Sequence, residues 1–122
     1  MASHKMIRRA MTVLMAMAVA LSIGFTTTSC SPPGPTVIDV RTAEEFAQSH
    51  VDGARNIDFT QPDFEARIRT LPASAQFIVY CNAGNRSGEA ATMMTDNGLD
   101  VIDAQTMQNA ATLVGAPIIS GP

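Results

Sequence analysis

The chain has 122 residues, 46% of them hydrophobic and 16% charged, a size and composition that fit one domain. Its formal net charge is −3, but Lys5, Arg8 and Arg9 stand at the extreme N-terminus while all eleven acids lie after Cys30. Beyond Cys30 only five Arg face those eleven acids, a balance of −6, which speaks against nucleic acid as a partner and against a basic patch for membrane headgroups.

The first element is a leader. Lys5, Arg8 and Arg9 precede an uncharged apolar run over residues 11–25, the order of a secretory signal. A membrane span needs ~20 apolar residues, so this run is short for one. Small residues at 26–29, then Cys30, then a Pro/Gly-rich stretch at 31–35 resemble a bacterial lipoprotein signal. That resemblance implies that Cys30 becomes the lipidated first residue of the mature chain. The expected organisation is a signal peptide over 1–29, a tether over 30–35 and one domain over 36–122. The expected location is the periplasm or cell surface, with membrane contact only through the signal or the Cys30 lipid. No Cys30–Cys81 bridge is expected, because nothing on the tether holds Cys30 in bridging geometry.

The domain opens with a β-branched run at 36–40, read as a buried strand. Thr42 and Glu45 form a capping-box pattern, which predicts a helix over 43–49 with Phe46 facing in. Residues 50–53 read as a turn, with Gly53 free to take a positive φ, and 54–57 as a second strand. Pro62 suits the first turn of a helix; Phe64, Ile68 and Leu71 share one face of it, and Pro72 ends it. Residues 76–80 are the strongest strand in the chain, followed by a loop over 81–86. Ser87 is expected to cap a helix that reaches about Asn97 and stops at Gly98. A strand over 101–103, a helix over 107–114 and a Pro/Gly-containing tail complete the chain. Strands alternating with short helices predict an α/β fold, a small parallel sheet flanked by helices on both faces. Reactive groups then gather at the C-terminal ends of the strands, where Cys81 stands.

The segment Cys81-Asn-Ala-Gly-Asn-Arg-Ser87 carries the chemistry. Backbone N–H groups in a short loop of small residues can turn inward as an anion nest, and the positive end of the following helix adds to that field. Both favour a thiolate, which is the nucleophile. A lone Cys after a strand is usually a buried small hydrophobe; the loop is what sets Cys81 apart. Arg86 stands where a cation is electrostatically unfavourable, at a helix N-terminus, which hints at a bound anion. Asp39 reads as structural, Arg41 as a supporting candidate, and His50 as a satisfied structural histidine. Asn82 and Asn85 can serve as turn formers alone. Two isolated His and two Cys lack metal-ligand spacing, so no metal is expected.

Several motifs in order carry a resemblance: Val37-Ile-Asp-Val-Arg41, Glu45-Phe46, His50-Val-Asp-Gly-Ala54, Asn56-Ile57, and Cys81 through Ser87. Together they resemble the rhodanese family, most of all its small exported single-domain, phage-shock type, over residues 36–104. Four residues separate Cys81 from Arg86, the loop length of the sulfurtransferases; the related phosphatases have five. The resemblance implies a sulfurtransferase in which Cys81 takes the outer sulfur of an anionic donor such as thiosulfate and passes it from a persulfide to a thiol or cyanide. It implies Asn82, Ala83, Gly84, Asn85, Arg86 and Ser87 as the donor-binding loop, with Arg86 as the loop-closing residue that contacts the anionic donor or braces the loop, and with Asp39 and Arg41 supporting. No cofactor is implied, a monomer is expected, and the physiological thiol acceptor is left unidentified. The stretch over 104–110 departs from the family, in which a Gly-rich turn and a Trp follow the last strand. That departure keeps a second reading open, a non-catalytic sulfur carrier or partner-binding module at the membrane surface. A phosphatase or arsenate reductase on the same fold is a third.

Overall fold

A computed structural model describes residues 34–122. The expected signal segment, the expected lipidation site at Cys30 and residues 31–33 of the expected tether lie outside the described residues. Four strands, β1 (Thr36–Asp39), β3 (Arg55–Asn56), β4 (Gln76–Cys81) and β5 (Asp100–Thr106), form one parallel sheet in the order β3-β1-β4-β5. Helices α1 (Ala43–Gln48), α2 (Phe64–Ile68), α3 (Asn85–Asp96) and α4 (Met107–Val114) connect and cover it. The predicted α/β architecture holds.

β4 explains the arrangement. Every residue from Phe77 to Cys81 is buried, as expected of a parallel strand covered on both faces. Phe77, Val79 and Cys81 point to one face, against Ile38 and Val40 of the β1 segment and Phe64, Ile68, Ala90 and Met94 of α2 and α3. Ile78 and Tyr80 point to the other, against Val37, Val51, Ala104 and Ala110 of α4. The period of two thus feeds two apolar clusters from one strand.

The local signals of α1 are realised as a full capping box: Thr42 Oγ1 accepts the Glu45 N–H at 3.2 Å, and Glu45 Oε2 accepts the Thr42 N–H at 3.0 Å. Phe46, expected to face in, is only half-buried and stacks on the His50 ring at 3.8 Å. A helix of six residues without a single buried side chain has no stripe to lay on the sheet.

Residues 50–53 are not simply a turn. His50–Val51 form β2 and pair antiparallel with β6 (Ile118–Ile119) from the tail. Only Asp52 and Gly53 turn the chain, with Gly53 at φ 82°. Two-residue strands paired across the whole domain leave no periodicity for a local reading to find. β5 is also longer than expected, and its register slips between Val79 and Tyr80: Val79 faces Asp103, whereas Tyr80 faces Gln105. Ala104 is therefore the extra residue of a bulge, and Gln105 follows it at φ 68°.

Candidate active site

Cys81 ends β4 with its side chain in the core and only 1% of its surface exposed. The chain then reverses through Asn82, Ala83 and Gly84. Gly84 takes φ 95°, a left-handed conformation that a side chain would strain. This turn aims successive N–H groups back at the sulfur. The Gly84 N–H donates to Cys81 Sγ at 3.1 Å and the Ser87 N–H at 3.4 Å, while the Ser87 hydroxyl lies 3.5 Å from it.

Here the expected cap is corrected. α3 starts at Asn85, with Gly84 as its N-cap, so Ser87 is the third helical residue and caps nothing. Its hydroxyl donates to the Gly84 carbonyl at 3.2 Å while Sγ carries a proton. When the thiol ionises, that hydroxyl can turn to the sulfur. Burial pushes the Cys81 thiol up, but the Ser87 hydroxyl and the N–H groups of Ser87, Gly84 and Ala83 outweigh it, and the pKa falls below its ordinary 9.0. Replacing Ser87 by Ala removes one of these donors. Iodoacetamide should then alkylate Cys81 several-fold more slowly at neutral pH, and the midpoint of its pH–rate curve should move up. An unchanged curve would show that the backbone alone holds the thiolate.

The other loop residues turn away from the sulfur. Asn82 Nδ2 donates to Glu45 Oε1 at 2.6 Å, and its Oδ1 accepts from Arg41 Nη1 at 3.3 Å. Arg86 lies against the same carboxylate, Nη1 to Oε2 at 2.8 Å and Nη2 to Oε1 at 3.1 Å. The Arg86 hydrogen bonds carry Glu45 down to a pKa of about 2 against the burial of the carboxylate, with the Thr42 N–H and Asn82 assisting. Asn85 takes the first position of α3, exposed. Asp39 and Arg41 sit beneath the loop as a buried pair: Arg41 Nη2 meets Asp39 Oδ2 at 2.6 Å and also donates to the Ser49 carbonyl at 2.6 Å. The Arg41 guanidinium rests 5.5 Å from the Tyr80 ring centroid. His50 Nδ1 lies 2.8 Å from the Phe46 carbonyl, a local structural contact.

Sequence reading gave Glu45 only the task of capping α1. The structure makes it the shared acceptor for both flanks of the cysteine loop, across separations of 37 and 41 residues. The side chain of Gln105, in the 104–110 stretch that departs from the family, lies against Gly84. The Glu45 contacts have no local signal in the sequence.

A family model described as a rhodanese-like domain matches residues 29–111. The Escherichia coli (strain K12) protein named thiosulfate sulfurtransferase PspE is 41% identical over 63 residues, covering 50% of this chain and 59% of that protein. The Arabidopsis thaliana protein named HIGH ARSENIC CONTENT 1, mitochondrial, is 36% identical over 77 residues, covering 55% of this chain and 46% of that one. The chain thus spans about half the length of the curated relatives it matches. A solved structure described as a rhodanese with anions from E. coli superposes with a TM-score of 0.59 at 29% identity, covering 72% of this chain and 100% of that one.

Proposed function

The chain belongs to the rhodanese-like domain family, and from that premise we propose that it moves a sulfane sulfur from a thiosulfate-like donor to a thiol or cyanide through a persulfide on Cys81. The observation that carries the reading is the convergence of the Gly84 N–H and the Ser87 N–H on Cys81 Sγ, at the N-terminus of α3. Those donors favour the thiolate that attacks. The thiolate forms a bond to the outer sulfur of the donor, the sulfur–sulfur bond of the donor breaks, and sulfite leaves with the electron pair. The persulfide anion then inherits the same N–H groups. A thiol or cyanide removes the outer sulfur and returns Cys81 as thiolate, a two-step exchange with ping-pong kinetics.

In this reading Ala83 and Gly84 supply loop backbone, Asn82 and Arg86 hold the loop through Glu45, and Asn85 stands at its rim. Asp39 and Arg41 support it from below. The signal-like segment and Cys30 support export, with the domain tethered to a membrane by lipid at that residue.

Intact-mass measurement of the purified chain after incubation with thiosulfate tests the reaction. A gain of ~32 Da located on Cys81 and removed by cyanide is expected. A freely alkylatable Cys81 that gains no sulfur would overturn it.

A further inference from the structure

Gln105 is the one non-glycine residue among those described with a left-handed backbone, φ 68°. Side chains at such angles crowd the following carbonyl, so the conformation persists only where its surroundings enforce it. Here the bulge does so. Ala104 is the extra residue, Gln105 pairs with Tyr80, and the Gln105 N–H is held by Asp103 Oδ1 at 2.9 Å. As a result the side chain is laid over the cysteine loop. A Cβ on Gly84 would stand 3.2 Å from the Gln105 Cβ and 3.4 Å from its Cγ, and Gly84 is the residue whose N–H reaches Cys81 Sγ. Gln105 is exposed, and it lines an open groove of about 400 Å³ that reaches along α4 to Asn109 and Leu113.

The cations about the cysteine loop are already paired, and the charge beside Gln105 itself is the Asp103 carboxylate, turned to its N–H. Arg86 is held two-pronged by Glu45 and Arg41 by Asp39. The Gly84 and Ser87 N–H groups point at the sulfur. A donor seated on Sγ therefore needs other hydrogen-bond donors for the oxygens of its sulfonate end. The Gln105 carboxamide bonds no described residue and has a stem long enough to extend over the loop.

We propose that Gln105 is a specificity-determining residue whose carboxamide N–H group binds the sulfonate oxygens of the sulfur donor over Cys81. This rests on the sulfur-transfer reading above. The hydrogen bond strengthens as the donor's sulfur–sulfur bond breaks and charge gathers on the departing sulfite. No atom of Gln105 is transferred.

The test compares the parent chain with Gln105→Gly and Gln105→Glu in ping-pong kinetics with thiosulfate and cyanide. Gln105→Gly relieves the backbone and should melt about 4 °C higher, yet kcat/KM for thiosulfate should fall about tenfold with kcat/KM for cyanide unchanged. Gln105→Glu keeps length and backbone but turns a carboxylate toward the sulfonate, and should fall further. A Gln105→Gly variant with full thiosulfate kcat/KM overturns the proposal, and so does a loss confined to the cyanide half-reaction. Sulfite protection of Cys81 against iodoacetamide reads the same contact without turnover. Protection should be several-fold weaker in Gln105→Gly; equal protection, or none in the parent chain, overturns the proposal. A parent chain that gains no sulfur but is protected by sulfite would sink the reaction and leave the Gln105 contact standing.

Discussion

Replacing Cys81 by Ser is expected to lower sulfur transfer from thiosulfate to cyanide by at least ~1,000-fold, the scale on which loss of a nucleophile is felt. The fold should survive. A Ser hydroxyl fits the space of the thiol and can accept the N–H groups of Gly84 and Ser87 that now reach Sγ. Stability should therefore change by no more than ~1 kcal/mol. Cys81→Ala is the harsher change, because it leaves those two N–H groups facing a methyl group in a buried site. The pH dependence separates the roles. Cys81 ionises more readily folded than unfolded, so it adds stability that is complete above the ordinary thiol pKa and is lost as pH falls through the folded value. The Ser variant lacks this rise. Urea titrations at several pH values measure it alongside the activity assay. A Ser variant with more than a few per cent of parent activity would remove Cys81 from the mechanism.

Asp39→Ala should be the most damaging single change away from the sulfur, costing about 3–5 kcal/mol, because it strands a buried cation. Asp39 is fully buried and Arg41 is 4% exposed. The carboxylate accepts from the Arg41 N–H at 2.9 Å, from Nε at 3.0 Å and from Nη2 at 2.6 Å. Burial opposes the charge on Arg41, but the hydrogen bonds and charge of Asp39 outweigh it and hold the guanidinium more firmly protonated than usual. A domain of this size has only ~5–15 kcal/mol in total, so the variant should be unfolded in modest urea. Adding Arg41→Met should restore part of the loss, since an apolar chain replaces the stranded charge. A single variant within ~1 kcal/mol of the parent would show that water reaches Arg41 and screens it.

Much of the architecture follows from neighbouring residues alone. The unbroken apolar run of β4, the Thr42–Glu45 capping box, the stop at Gly98 and the extent of α4 are set by period and by caps, which operate within a turn or two of the chain. The position of Cys81 at the end of β4 follows from the same run. The small residues between Cys81 and Arg86 also point to a tight loop whose backbone N–H groups can turn toward the sulfur.

What these signals could not carry is where each loop residue faces. The partner of Asn82 and Arg86 is set by the sheet: β1 and β4 lie side by side and bring the start of α1 against the loop, so both residues hydrogen-bond Glu45. α3 begins at Asn85 and not after Ser87 because Gly84 supplies the left-handed turn, which frees the Ser87 hydroxyl for the sulfur. The β2–β6 pair and the bulge that lays Gln105 over Gly84 depend on register between distant segments. By itself the sequence determined the central strand, the capping box of α1 and the place of Cys81 at the end of β4, because period, caps and loop composition are local properties. Only the tertiary structure decided which charges neutralise each other and which side chain lies against Gly84, because each such contact needs a partner that sheet pairing brings from elsewhere in the chain.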